Sequence, residues 1–166
     1  FGYSYDPLYA DDSEVVVLQG SSVGAGTRSI EFGEATGAVE DWDVVSFDGL
    51  SEGVQIDLLS VDDNYDVSVT SATQPGYTIA YVDGAEGVFG TAFSDIVNGD
   101  GGRNIIHGGD GTDYLAGGDN QDLIAGGAGS DHLYGGAGKD ILIDLEGGGK
   151  IWGDTGSGTT ENDSFV

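Results

Sequence analysis

The sequence predicts an all-β chain whose second half winds into stacked parallel coils. Three observations predict it. A nine-residue unit repeats from Gly90 onward. One apolar side chain recurs at a fixed place in that unit, the mark of a strand that buries a single face. Ahead of Gly90, short apolar or alternating segments lie between Gly, Asp and Ser clusters, and no stretch carries a helical period with caps.

Val15-Val16-Val17-Leu18 is an apolar run closed by Gln19-Gly20, which suits a buried strand. Ser29-Ile30-Glu31-Phe32 alternates, as a half-buried strand does. Asp43-Val44-Val45-Ser46-Phe47 has the Asp-x-apolar spacing of the later repeat without its glycines. Val54-Gln55-Ile56-Asp57-Leu58, Tyr65-Asp66-Val67-Ser68-Val69 and Tyr77-Thr78-Ile79-Ala80-Tyr81 alternate cleanly. The chain is therefore expected to divide in three: a β-rich segment over 1–39, a β lead-in over 40–89 and the repeat array over 90–166.

From Gly90 the units read GTAFSDIVN, GDGGRNIIH, GGDGTDYLA, GGDNQDLIA, GGAGSDHLY, GGAGKDILI and DLEGGGKIW. A last unit opens at Gly153 with five residues inserted in its turn. Position six carries Asp95, Asn104, Asp113, Asp122, Asp131, Asp140, Gly149 and, across the insertion, Asp163. Position eight carries Val97, Ile106, Leu115, Ile124, Leu133, Leu142, Ile151 and Phe165. Glycine follows the same boundary, with 21 in residues 90–166 and 11 in residues 1–89.

Paired glycines reach backbone conformations that other residues adopt at a cost, so they suit a tight turn. Position six ends that turn with a carboxylate. Positions seven to nine form a very short strand whose position-eight side chain faces inward. One unit cannot bury that side chain, so the unit is stable only as an array. Two units close one coil of 18 residues, with strands on two opposing sheets and turns at both edges. The expected architecture is a parallel β-roll, a form of β-solenoid.

In such a roll each turn lies over the turn two units away. Asp95 meets Asp113, Asp113 meets Asp131, Asn104 meets Asp122 and Asp122 meets Asp140. Carboxylates at strand spacing repel unless a cation lies between them. Carboxylate and carbonyl oxygens in an adaptable turn suit Ca²⁺. Mg²⁺ wants a tighter octahedron, and Zn²⁺ prefers nitrogen and sulfur. The candidate metal ligands are Asp95, Asn104, Asp113, Asp122, Asp131, Asp140 and Asp163. Main-chain carbonyls of Gly99, Gly101, Gly108, Asp110, Gly117, Asp119, Gly126, Ala128, Gly135 and Ala137 complete the set, for several Ca²⁺ ions. Glu146 and Asp154 are candidates to compensate where Asp144 and Gly149 break the pattern.

GGDGTDYLA, GGAGSDHLY and GGAGKDILI match every defined position of GGxGxDxUx, and GGDNQDLIA departs only at Asn120. These units resemble the nonapeptides of RTX (repeats-in-toxin) proteins, which form a Ca²⁺-bound parallel β-roll. The passage from Asp43 to Asp95 is similar to the segment before the roll in serralysin-type C-terminal domains. Its counterparts here are Asp43 to Phe47, Gly53 to Leu58, and the approach through Gly87 and Gly90 to Asp95. With that lead-in the resemblance spans residues 40–166. It implies a non-catalytic calcium-binding structural module of a larger secreted bacterial polypeptide, exported by type I secretion and folding on Ca²⁺ outside the cell.

Charge is consistent with that reading. The chain has 30 Asp plus Glu against 4 Lys plus Arg, a net charge of −26. Residues 90–166 contribute −10 and residues 1–89 contribute −16. Nothing here could neutralise nucleic-acid phosphates, and an anionic membrane surface would repel the chain. No apolar run reaches the ~18 residues of a membrane span. The absence of cysteine removes disulfides, thiolate zinc sites and cysteine nucleophiles.

Other motifs have duller readings. Gly20-Ser21-Ser22-Val23-Gly24 fits G-x-S-x-G, but no helix start follows, so it reads as a loop. Asp62, Asn64 and Asp66 match the opening of an EF-hand loop, yet Val67 and Thr73 stand where Gly and Glu are needed. His107 and His132 sit at outward strand positions. Tyr114, Tyr134 and Trp152 also point outward and carry the rival reading, a module that binds an extracellular polysaccharide or cell surface. The R-modules of alginate epimerases, which this roll resembles, contact polysaccharide in that way. A third reading makes the roll the tail of a secreted protease, lipase or lyase whose catalytic part lies elsewhere.

Overall fold

The computed structural model describes residues 15–20, 28–31, 43–61, 67–73, 78–83, 85–146, 148–154 and 164–166. Among these residues the protein is all-β, with no helix. The first strands are β1 (Val15–Gly20), β2 (Arg28–Glu31), β3 (Val44–Leu50), β4 (Val54–Val61), β5 (Val67–Ser71), β6 (Thr78–Asp83) and β7 (Gly87–Phe89). The repeats supply β8 (Ile96–Asn98), β9 (Ile105–Gly111), β10 (Tyr114–Asp119), β11 (Leu123–Gly129), β12 (His132–Ala137), β13 (Ile141–Ile143), β14 (Lys150–Asp154) and β15 (Ser164–Phe165).

Successive repeat strands alternate between two sheets. One has the order β1-β3-β7-β9-β11-β13-β15, the other β14-β12-β10-β8-β4-β5-β6-β2. The roll strands pair in parallel, with Ile106 opposite Ile124 and Leu115 opposite Leu133. That register is the 18-residue coil expected from two nonapeptides. It also crosses the insertion, since Phe165 lies opposite Leu142.

Strands β9 to β12 run longer than the three residues expected for them. Glycines of one turn stack on those of the next coil, Gly109 on Gly127 and Gly118 on Gly136, so the ladder continues into the turn. Gly127 shows why no other residue serves there. Its φ is +108°, and a Cβ would lie 2.0 Å from the Gly109 carbonyl oxygen. Asn120, the one departure in its unit, takes φ 70°, a region Asn tolerates better than most residues.

The position-eight side chains form two inward columns. Ile106, Ile124 and Leu142 line one sheet and Val97, Leu115 and Leu133 the other, none more than 1 % exposed. The same core continues through Val88, Val45, Phe47, Val54 and Ile56. Strand β3 pairs in parallel with β7, and β4 with β8, so the lead-in repeats the geometry of a coil. Strand β1 pairs in parallel with β3, which gives part of the unassigned N-terminal segment a place in the sheet. Beyond β4, the antiparallel strands β5 and β6, then β2, extend the second sheet sideways. The buried carboxylate of Glu52 accepts hydrogen bonds from the Ser71 and Thr73 hydroxyls, tying the turn before β4 to the end of β5. Ser21 to Gly24 and Asp62 to Asp66 lie outside the described residues.

A leucine in a fully enclosed column cannot be shortened without leaving a hole. Leu115→Ala should cost about 2–5 kcal/mol in urea unfolding with Ca²⁺ present. Ile96→Ala, on the outer face, should cost under about 1 kcal/mol. Equal losses would contradict the inward column.

Candidate metal centre

Asp95, Asn104, Asp113, Asp122, Asp131 and Asp140 are all buried, at 3 % exposure or less. A buried carboxylate needs hydrogen bonds or a counter-charge. Backbone pairing sets the stage. The N–H after each position six donates to the position-six carbonyl one coil earlier, as Tyr114 does to Asp95 (2.9 Å) and Leu123 to Asn104 (2.9 Å).

One side-chain oxygen then repeats the pattern. Asp113 Oδ1 accepts from the Asp95 N–H (2.9 Å), and Asp131 Oδ1 from Asp113 (3.0 Å). On the other edge Asp122 Oδ1 accepts from the Asn104 N–H (2.8 Å), and Asp140 Oδ1 from Asp122 (3.0 Å). The four expected pairs therefore meet. Their contact is carboxylate to backbone amide.

The second oxygen is different. The Oδ2 atoms of Asp113, Asp122, Asp131 and Asp140 are buried without a hydrogen-bond partner. Each lies against the glycine that opens its unit. A Cβ on Gly108 would fall 2.2 Å from Asp113 Oδ2 and 2.6 Å from the Gly126 carbonyl oxygen. On Gly117 it would fall 2.3 Å from Asp122 Oδ2 and 2.7 Å from the Gly135 carbonyl oxygen. Glycine thus keeps open a cradle where a bare carboxylate oxygen and a carbonyl oxygen converge.

Burial pushes the Asp113 and Asp122 carboxyls up to about 7. The amide hydrogen bonds oppose that shift, and neighbouring carboxylates add to it, Asp95, Asp131 and Asp110 for one, Asp140, Asp100 and Asp119 for the other. These groups resist ionisation until a cation arrives.

Two predicted ligands stand apart. Asp95 Oδ1 accepts from the Val54 N–H (2.6 Å), and its Oδ2 accepts from the Thr91 N–H (2.7 Å) and hydroxyl (3.1 Å). Burial raises its pKa only to about 6, because Thr91 and Val54 stabilise the anion. Asn104 Oδ1 accepts from the Asp100 N–H (3.0 Å), and its Nδ2 donates to Asp100 Oδ1 (3.2 Å).

The remaining expected residues distribute as follows. Asp110 lies opposite Ala128, and Asp119 opposite Ala137, one coil apart. The Gly101 carbonyl takes a hydrogen bond from the Asn120 side chain. Gly99 opens the turn of Asn104, and its N–H donates to the Ala116 carbonyl (2.7 Å). Gly149 stacks on Asp131 and brings no carboxylate, while Glu146 is exposed. Asp163 lies outside the described residues.

Glu86 escaped the sequence reading. Its carboxylate accepts from the Asp43 N–H (2.9 Å), and its carbonyl from the Ile105 N–H (2.9 Å), the same two roles that position six plays in the roll. The signal was present: Glu86 and Val88 precede Asp95 and Val97 by nine residues each.

A hard divalent cation fits these oxygens. No group of three or more His, Cys, Asp or Glu side chains gathers around a point among the described residues. Each cation would therefore draw much of its shell from carbonyls, as calcium readily does.

Comparison with protein families agrees. The RTX calcium-binding nonapeptide repeat (4 copies) matches residues 89–124 and 117–143. Residues 89–143 are RTX repeats. Their family is a non-catalytic module that binds several calcium ions across its repeats. No curated protein matches the chain. The RTX roll accounts for the bare oxygens, the opening glycines and the single inward side chain together.

A carboxyl with a raised pKa holds more protons folded than unfolded, between its unfolded value near 4 and its folded value. Its contribution is complete below pH ~4 and is lost as pH rises through 7. In metal-free buffer the melting temperature should therefore be higher at pH 5 than at pH 7.5. Asp113→Asn combined with Asp122→Asn should flatten that dependence. A melting temperature that climbs with pH would contradict the assigned burial.

Proposed function

We propose that the chain is a calcium-dependent structural module of a larger secreted protein. On this reading Asp113, Asp122, Asp131 and Asp140 each head one calcium site, completed by turn carbonyls that include Gly126 and Gly135. The observation that carries it is the set of four buried Oδ2 atoms without partners. Without calcium, stacked carboxylates oppose closure of the coils. With calcium, binding free energy becomes folding free energy. Extracellular calcium modules bind at about 10⁻⁴–10⁻³ M, so the roll stays loose in a low-calcium cytosol and closes outside.

Residues 90–166 are the roll on this reading, 40–89 its lead-in and 1–39 a further β-rich segment. RTX repeats are typical of secreted proteins, which supports export. Type I secretion is the route proposed. No described helix is long and apolar enough to cross a membrane.

The polysaccharide reading draws less support. Tyr134 and Trp152 stack face to face at 4.4 Å and 8°, and Tyr114 lies 4.8 Å from Tyr134. His132 packs beside Tyr114 at 5.8 Å. The rings spend their faces on one another, leaving edges to solvent rather than a platform for a sugar. The ladder reads as cross-strand stabilisation, worth roughly 0.5–1.5 kcal/mol per pair.

Circular dichroism of the full chain should show β structure gained on adding calcium to a chelated sample. Titration calorimetry should count about four ions, one per orphaned oxygen. Asp122→Ala should remove one ion and weaken binding at its neighbours. Asp48→Ala, at an exposed position, should leave the titration unchanged. Matching effects of the two variants would overturn the assignment.

A further inference from the structure

We infer that the first coil of the roll, residues 90–107, is closed by its own side chains and forms a metal-independent cap on which the calcium-requiring coils stack. The inference rests on the calcium reading of the later turns, and adds which turns do without the ion.

The donor geometry is the same in all the turns compared. A Cβ on Gly90 would lie 2.5 Å from Asp95 Oδ2 and 2.3 Å from the Gly108 carbonyl oxygen. On Gly99 it would lie 2.3 Å from Asn104 Oδ1 and 2.0 Å from the Gly117 carbonyl oxygen. These are the convergences seen at Gly108 and Gly117. Position two differs in both turns, and position six is Asn in one of them.

In the four later turns position two is Gly109, Gly118, Gly127 or Gly136, each with φ between +108° and +116°. There the position-six Oδ2 is bare. In the first coil position two is Thr91 at one edge and Asp100 at the other. Thr91 supplies its N–H to Asp95 Oδ2 (2.7 Å), and its hydroxyl lies within hydrogen-bond reach of both carboxylate oxygens, Oδ1 at 3.0 Å and Oδ2 at 3.1 Å. Asp100 supplies its N–H to Asn104 Oδ1, and its own Oδ1 accepts from Asn104 Nδ2 and from the Gly102 N–H (2.7 Å). Two departures from the repeat, Gly to Asp at position two and Asp to Asn at position six, thus answer each other across one turn. At position two the N–H, joined by the Thr91 hydroxyl at one edge, takes the oxygen that faces a cation elsewhere.

The coil below completes the cap. Asp95 Oδ1 accepts from the Val54 N–H and the Glu86 carbonyl accepts from the Ile105 N–H, so the lead-in is joined to the first coil by hydrogen bonds that involve no bare oxygen. Later coils cannot copy Thr91. A Cβ at Gly109 would fall 1.9 Å from the Thr91 carbonyl oxygen, and one at Gly118 would fall 2.0 Å from that of Asp100.

Amide hydrogen exchange on the full chain, in EGTA and in saturating calcium, tests this. The Val54, Thr91 and Asp100 amides should be protected in both conditions. The Leu123, Ile141 and Lys150 amides should lose at least about ten-fold protection in EGTA. Free exchange at Thr91 and Val54 in EGTA, with calcium restoring the whole roll, overturns the cap and leaves the calcium reading intact. Equal protection everywhere in EGTA overturns both. Thr91→Gly removes the hydroxyl and permits the positive φ of the later position-two glycines, where no position-two N–H reaches Oδ2, so it should raise the calorimetric calcium count by one, whereas Thr91→Ser should keep the wild-type count. An unchanged count in Thr91→Gly also overturns the cap.

Discussion

Everything in the roll turns on one buried carboxylate per turn. From Asp113 to Asp140 its Oδ1 is held by a backbone amide one coil away, and its Oδ2 has no hydrogen-bond partner. That division forces the rest. Holding Oδ1 sets the 18-residue register, because the amide must come from the equivalent residue of the neighbouring coil. Leaving Oδ2 bare in a dry cradle makes the folded chain a ligand set. Neighbouring carboxylates about 4.8 Å apart repel by about 3 kcal/mol at an effective dielectric constant near 20. That is as much as burying a leucine contributes, so inward columns alone do not secure the coils. A divalent cation turns that repulsion into attraction.

The lead-in and the roll solve the same burial problem with different chemistry. Glu52 is satisfied by Ser71 and Thr73, Glu86 by the Asp43 amide, and Asp95 by Thr91 and Val54. From Asp113 to Asp140 position two is glycine and a carboxylate oxygen goes unanswered. The acidic surplus of the first half is thus partly consumed in ordinary hydrogen bonds, whereas that of the repeats is held for an ion.

Much of this was legible beforehand, for a specific reason. A strict period of nine fixes which residues are equivalent, and equivalence in a solenoid is contact. The column from Val97 to Leu142, the pairs at the edges and the return to phase at Phe165 all follow from counting. Glu86 was missed because it is a methylene longer than Asp and lacks the flanking glycines. The role of Thr91 was missed because a hydroxyl in a turn is unremarkable until its distance to Asp95 is known. The packing of the aromatic face was not legible either, since spacing places Tyr114, Tyr134 and Trp152 together but is silent on ring orientation.

By itself, then, the sequence determined the all-β class, the coil, the inward columns and calcium as the ion. Period, glycine placement and oxygen-only chemistry are one-dimensional properties of the chain. Only the tertiary structure decided which carboxylate oxygens are bare. Whether Asp95 and Asp113 behave alike depends on where the position-two backbone and side chain point, and that follows from what the coil below allows them. Chemically identical residues in equivalent repeats acquire different roles because one meets the Thr91 hydroxyl and the other meets only glycine.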